Sequence, residues 1–313
     1  MSIKTPEILV VGDIMLDHYI ICDVNRISPE APVPVALAKD DSYVLGGCGV
    51  VIRNLVEFGA NVTCISEWGY DEAGRKIELN LNRYNCNHIN LNSVYSNKNT
   101  TQKIRVIGGE GSTQMIRIDR ENVSPNPLSK EAYNYILAIT KPDIIVVSDY
   151  GKGVVTQQLM DILHVIDSPM IIDPYPEHLG RYGKVFMITP NQKEWDKMTS
   201  TSLVENNFKN ILITKGKEGM ELSRRIGENT KDSETWHTVF IRDEPVPVYN
   251  VSGAGDAVVA VMATCIAEGV DIETSARIAN KCAGYVVTQP GTSIVPKKLF
   301  LETLKYYGQK AND

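Results

Sequence analysis

The sequence predicts an α/β fold: a mostly parallel sheet with a small antiparallel unit attached. Three observations carry this. Short apolar runs alternate with helical patterns along most of the chain, the signature of βαβ units. Between about residues 89 and 121 that rhythm breaks, and two alternating stretches flank Gly108-Gly109-Glu110-Gly111, as in a hairpin. A glycine-rich turn, Asn250-Val251-Ser252-Gly253-Ala254-Gly255-Asp256, joins an extended run (Pro245 to Tyr249) to a helical run from Ala257 to Glu268.

Taken in order, Ile8 to Asp13 is an apolar run ending in Gly-Asp, read as a buried strand. Asp13 and Asp17 follow its C-terminal end, where open parallel sheets bind ligands. A solvated turn is the plainer alternative. From Arg26 to Val35, three prolines (Pro29, Pro32, Pro34) exclude helix and disfavour a central strand, so an edge or lid segment is expected. Arg26 there is either a reach for an anionic substrate or a surface charge. Gly46 and Gly47 precede a helix that runs to Phe58 and is closed by Gly59. That pair permits close approach of a ligand, although a Gly-Gly turn alone is weak. Val62 to Ser66 is the next strand, and a helix follows to about Tyr84.

Thr100 to Ile107 and Thr113 to Asp119 form the expected hairpin, with Lys103, Arg105 and Arg117 at like parity in their strands. Solvated cations explain this as well as a lid over an anionic sugar does. Asp143 to Asp149, Met170 to Asp173, Val185 to Thr189 and Ile211 to Thr214 are further strands. Asn191 and Glu194, three apart after one of them, suit a helix cap and its capping-box glutamate, or Mg²⁺ held through water. Lys215-Gly216 turns the chain after the Ile211 strand, and Glu228 to Ser233 reads as a surface loop. Helices are expected over Ile272 to Thr288 and from Pro296 onward, separated by a tight Gly291-Thr292 loop.

At Gly253, Ala254 and Gly255, unpaired amides at a helix start suit phosphate or a developing oxyanion. Asp256 beside them is placed either to take a proton from a hydroxyl or simply to cap the helix.

Composition narrows the classes. The 313 residues carry a net charge of -6 and no basic stripe, which argues against nucleic acid. No apolar run approaches the roughly 18 residues of a membrane span, and Met1 to Glu7 lacks a signal-peptide core. The six cysteines show no C-x-x-C pair, so reduced thiols of a cytoplasmic protein are expected.

Several separated motifs together resemble the ribokinase-like (PfkB) carbohydrate kinases, nearest the D-glycero-β-D-manno-heptose 7-phosphate kinase branch. They are Val11 to Asp17, Arg26 to Val35, Ser148 to Gly153, Thr189-Pro190-Asn191 with Glu194, Ser252 to Asp256 and Gly291 to Val295. The resemblance spans nearly the whole chain and implies a single doubly wound domain over residues 1–313, with lid segments at about 14–44 and 89–121. It implies ATP and Mg²⁺ as cofactors, with Asp256 as general base and Gly253, Ala254 and Gly255 as the anion hole. Asn191 and Glu194 would organise Mg²⁺ and phosphates. Lys215, Gly216, Asn280 and Gly291 would serve the nucleotide. Asp13, Asp17, Gly46, Gly47 and the lid would hold the sugar, and Arg26, Lys103 and Arg105 would meet its phosphate. The implied reaction is transfer of the γ-phosphoryl group of ATP to the anomeric hydroxyl, giving a 1,7-bisphosphate.

Three residues depart from the family pattern. Val50 stands where an asparagine touches the sugar. Asn250 replaces an aspartate that helps bind a monovalent cation, leaving K⁺ activation open. Tyr175 replaces the lysine of Asp-Pro-Lys. Another sugar phosphate or a nucleoside as substrate therefore stays in view, as does a catalytically inactive sugar- or nucleotide-binding regulator. The nucleotidyltransferase domain of bifunctional relatives is not expected here. A homodimer through the lid is.

Overall fold

The computed structural model describes residues 5–92, 98–109, 113–121, 123, 128–199, 207–226, 235–244 and 246–310. Two sheets organise the chain. The larger contains β1 (Glu7–Gly12), β4 (Asn61–Ser66), β5 (Asn87–Asn90), β8 (Ile144–Ser148), β9 (Met170–Asp173), β10 (Val185–Ile188), β11 (Phe208–Thr214), β12 (Met220–Ile226) and β13 (Thr235–Ile241). Its order is β13-β12-β11-β10-β9-β8-β1-β4-β5, parallel except for the antiparallel β12 and β13 at one edge. Sequence order reverses between β1 and β8. Such a switch point leaves a crevice beyond the strand ends.

Strand alternation explains the layering. Ile8 and Val10 point into one core and Leu9 and Val11 into the other, as period-2 geometry requires. The first core is shared with α1 (Cys48–Phe58), α2 (Glu72–Arg83), α6 (Ala254–Ala267), α7 (Ile272–Val286) and α8 (Lys297–Lys310). The second lies under α3 (Lys130–Leu137), α4 (Gln157–Ile166) and α5 (Gln192–Thr199). The doubly wound expectation is met. Helix α6 is buried at every position from Asp256 to Cys265, so its N-terminus is held rigidly behind the crevice.

The smaller sheet has the order β3-β2-β6-β7, from β2 (Ile14–Ile27), β3 (Pro34–Gly47), β6 (Gln102–Gly108) and β7 (Thr113–Arg120). β6 and β7 form the antiparallel hairpin expected from the alternating stretches. β3 runs three residues past the expected limit at 44, to Gly47, and β5 belongs to the large sheet although the second segment was expected to begin near 89. Pro245 to Tyr249 was expected to be extended strand. The described residues 246–249 pair with no strand, and β13 ends earlier, at Ile241. The Glu228 to Ser233 loop lies outside the described residues. All six cysteines are free and buried, and no described helix is long and apolar enough to cross a membrane.

Candidate active site

The crevice gathers four chain segments. Gly253 caps α6 with a left-handed backbone (φ 85°). A Cβ there would also press on Thr292 Cγ2 at 3.3 Å, with Val50 Cγ1 in ordinary contact at 3.5 Å. Glycine is therefore favoured on both counts. The amides of Gly253, Ala254 and Gly255 occupy the helix start, where backbone donors lack intrahelical acceptors. A Cβ at Gly255 would meet open space, so this turn faces a void.

Asp256, in the first turn of α6, is 7% exposed. Its Oδ1 accepts the Tyr150 phenol at 2.7 Å. Burial pushes its carboxyl up to about 6; the Tyr150 hydrogen bond opposes this, Asp17 adds to it and Arg53 opposes it. A base with such a value is ionised at neutral pH yet able to hold a proton.

Asp17 lies on β2, and Arg105 of β6 donates to its Oδ1 at 2.6 Å, while the Thr292 hydroxyl stands 3.3 Å from Oδ2. Tyr19 Oη in turn lies 3.0 Å from Thr292 Oγ1. Gly46 on β3 is pressed so closely to Asp17 that a Cβ would come within 2.8 Å of Oδ2, and Gly47 caps α1 with φ 58°. Asp17, Gly46, Gly47, Gly253 to Asp256 and Arg105 are thus brought together.

Several other residues are used differently from expectation. Asp13 is 1% exposed. Its carboxylate accepts the amides of Tyr150, Lys152 and Val154 at 2.8, 3.0 and 3.1 Å. It fixes the loop after β8 and offers no open face to a sugar. Lys103 sits 3.6 Å from Asp119 and 3.5 Å from Glu121. Register places Asp17, Lys103 and Asp119 in one cross-strand row, so its charge is shared with acids that line the same face. Arg26 is nine positions beyond Asp17 on β2, about 30 Å along the strand. At that separation, near the outer end of β2, its side chain does not reach Asp17 of its own chain.

On the far side of α6 lies a cavity of about 500 Å³ lined by Gly216, Asp243, Val248, Gly255, Asn280 and Tyr285 among others. Asn280 is oriented by a 3.0 Å bond from its Nδ2 to Asp243. Lys215 is paired with Glu221 and does not line the cavity. The Gly291 carbonyl accepts Asn250 Nδ2 at 3.2 Å, while Asn250 Oδ1 accepts the Ser252 amide at 2.9 Å.

Asn191 and Glu194 form a reciprocal capping box at α5, with Asn191 N to Glu194 Oε2 at 2.8 Å and Glu194 N to Asn191 Oδ1 at 3.0 Å. Behind them, Asp173 is pushed well up by burial and by the charges of Asp256, Glu194 and Asp149. Burial also raises Glu194. Excess buried negative charge of this kind suits a divalent cation. Among the described residues no three acidic, histidine or cysteine side chains converge into a protein metal cage.

Sequence reasoning assigned no role to Tyr150, Asp173, Thr292 or Arg53. Three of them lay inside or beside motifs already singled out, but nothing in their spacing shows that a tyrosine after β8 touches a carboxylate 106 residues later. Arg53 Nη1 donates to the Thr292 carbonyl at 3.1 Å, three residues after Val50 on the same helix.

Residues 5–298 match the pfkB family carbohydrate kinase model. The chain is 35% identical over 320 residues to the bifunctional protein HldE of Bradyrhizobium diazoefficiens, covering 94% of this chain and 62% of that protein. It therefore spans about three fifths of the length of that relative. Phosphofructokinase-2 from Escherichia coli, solved in complex with substrates and products, superposes with a TM-score of 0.75 at 18% identity, covering 97% of this chain and 100% of that one. Ribokinase from Arabidopsis thaliana, solved with ribose and ATP, gives 0.65 at 18% identity, with 96% and 99% covered. The agreement of family match, relatives and fold with the arrangement around Asp256 has one conclusion: the chain belongs to the pfkB family of carbohydrate kinases.

Proposed function

We propose that this kinase transfers the γ-phosphoryl group of ATP to the anomeric hydroxyl of D-glycero-D-manno-heptose 7-phosphate. The observation that carries the reading is the buried Asp256, raised to about 6, in the first turn of a helix that begins at a glycine-rich turn and has open space beside Gly255. Asp256 takes the proton of the acceptor hydroxyl as that oxygen attacks phosphorus. The amides of Gly253, Ala254 and Gly255 meet the charge on the transferring group. Asp17 orients the sugar beside Gly46 and Gly47, and Arg105 with Lys103 favours an anionic one.

The cavity beyond α6, lined by Gly216, Gly255 and Asn280, takes the nucleotide, with its adenine near Asn280 and its phosphates toward Gly255, and Gly291 would serve the same nucleotide. Asn191 and Glu194, with Asp173 behind them, would hold Mg²⁺ through water, and the ion would neutralise phosphate charge. Asn250 offers a neutral amide to the Gly291 loop, which favours operation without K⁺. The chain works as one kinase domain whose smaller sheet is a lid, in a cytoplasmic enzyme with reduced thiols. Exposed Ile116 and Ile118 on β7, an edge strand of the smaller sheet with no partner on its outer side among the described residues, favour a homodimer formed through the lid.

A second reading rests on Val50. It is 2% exposed and packs against the Gly253 turn, an apolar wall where a carboxamide would bond a hydroxyl. A different sugar phosphate, or a nucleoside, fits that wall. ADP release with MgATP and the heptose 7-phosphate, beside a panel of sugars, sugar phosphates and nucleosides, decides between them. Heptose-phosphate-dependent turnover lost in Asp256→Asn is expected. Turnover with a different acceptor alone moves the substrate. ATP binding with no turnover on any acceptor supports an inactive regulator.

A further inference from the structure

Tyr150 connects two carboxylates that lie on different elements. Its amide donates to Asp13 Oδ2 at 2.8 Å and its phenol donates to Asp256 Oδ1 at 2.7 Å. Asp13 also holds the amides of Lys152 and Val154, so the loop that carries Tyr150 is pinned at three points. A carboxylate two torsions from the backbone rotates freely unless one oxygen is held. Here the phenol holds Oδ1, and Oδ2 is the oxygen not tied to Tyr150.

We propose that Tyr150 is a positioning residue for Asp256, locking the carboxylate in the rotamer that presents Oδ2, and that Asp13 sets its aim through the loop after β8. This rests on the reading of Asp256 as general base. Tyr150 keeps its proton throughout: burial and the neighbouring Asp256 and Asp173 push its phenol well up, so it donates to the ionised base and never competes for the acceptor's proton.

The charged groups around Asp256 define what its loss would do. β2 contributes Asp17, α1 contributes Arg53, and the ends of β8 and β9 contribute Asp149 and Asp173. Glu194 of α5 stands beyond Asp173, and α7 contributes Lys281 to the cavity on the other side. The Tyr150 phenol is the strongest influence favouring the ionised form of Asp256. Its removal makes protonation easier.

The test compares wild type, Tyr150→Phe and Asp256→Asn. In Tyr150→Phe the acid limb of kcat/KM moves to higher pH by about half to one unit, and kcat at neutral pH falls about three- to tenfold, the value of one ordinary hydrogen bond. The acceptor KM stays close to wild type, which a general loosening of the site would not leave untouched. Superimposable pH profiles overturn the proposal. Carbon-13 carboxyl titration reads the same coupling without turnover: the Asp256 resonance, identified by its absence in Asp256→Asn, titrates higher in Tyr150→Phe. An unmoved resonance overturns the proposal even when no acceptor is known. Full activity in Asp256→Asn would instead sink the assignment of the base, a separate failure. Should Tyr150→Phe not fold, 3-fluorotyrosine at position 150 keeps the ring and makes the phenol a stronger donor, so the acid limb shifts to lower pH; no shift counts against the coupling.

Discussion

Arg105 Nη1 stands 2.6 Å from Asp17 Oδ1, and both side chains are largely shielded from water. The cation expected to attract a substrate phosphate is thus also the counter-ion of the carboxylate expected to hold the sugar. Neither is independent of the other. Arg105→Ala is expected to raise the sugar-phosphate KM about tenfold or more and to cost about 2 kcal/mol of stability, because it strands a buried carboxylate. Steady-state kinetics and a denaturant melt check the two effects separately.

Arg26 supplies the contrasting case. At about 30 Å along the strand from Asp17, it is expected to leave KM unchanged when replaced by alanine in dilute enzyme. A KM effect that grows with protein concentration would mean that a second copy delivers it to the crevice.

Asp256→Asn is expected to stabilise the fold while abolishing turnover. The carboxyl is raised from 3.8 to about 6 on folding, so the folded state binds a proton more tightly than the unfolded one. Its ionised form is a liability that is fully present above about pH 6 and disappears as pH falls through 6 towards 4. The Tm gain of the variant, a few degrees for a chain of this size, should accordingly appear at pH 7.5 and vanish near pH 4. An equal gain at both pH values would point to packing instead of charge.

Glu194→Gln separates the two uses of that side chain. Glutamine also serves in a capping box, so Tm should change by less than the loss expected of a missing cap, about 1 kcal/mol. The Mg²⁺ concentration for half-maximal activity should rise severalfold. A variant with an unaltered Mg²⁺ requirement would leave Glu194 as a helix cap alone.

Asn250→Asp restores a charge to the loop that Asn250 now ties to Gly291. Activity of the wild type is expected to be the same in K⁺ and Na⁺ salts, and that of the variant to depend on K⁺. Strong K⁺ stimulation of the wild type would show that the carboxamide is enough.

The fold was legible where periodicity is strong. Buried strands such as Ile144 to Ser148 announce themselves by unbroken apolar runs, and the hairpin of β6 and β7 by alternation around glycines. β12 and β13 were missed because they are antiparallel additions outside the βαβ rhythm, and Met220 to Ile226 also mixes apolar and charged residues. The helix-start turn at Gly253 to Asp256 was legible because its chemistry is local. Asp13 was not: a carboxylate after a strand looks the same whether it faces a ligand or three backbone amides. Lys103 and Lys215 were legible as cations but not as partners of Glu121 and Glu221, since ion pairing depends on strand register.

The ribbon formed by β2 and β3 has a mechanical consequence. Its fixed end is the Ile14 and Gly47 pairing beside the crevice, and its free end is the turn between Ile27 and Pro34. Asp17 is three positions from the fixed end and Ile27 is thirteen. Because β6 braces β2 from Leu16 to Cys22, a swing of the two-stranded tip reaches Asp17 strongly attenuated. Register shifts between Ile21 and Cys22, and between Val24 and Arg26, lie outboard of that aspartate, so bending is absorbed there first. Coarse motion at the periphery is geared into fine adjustment beside the base, and whatever grips the outer turn tunes the inner contact without tearing it.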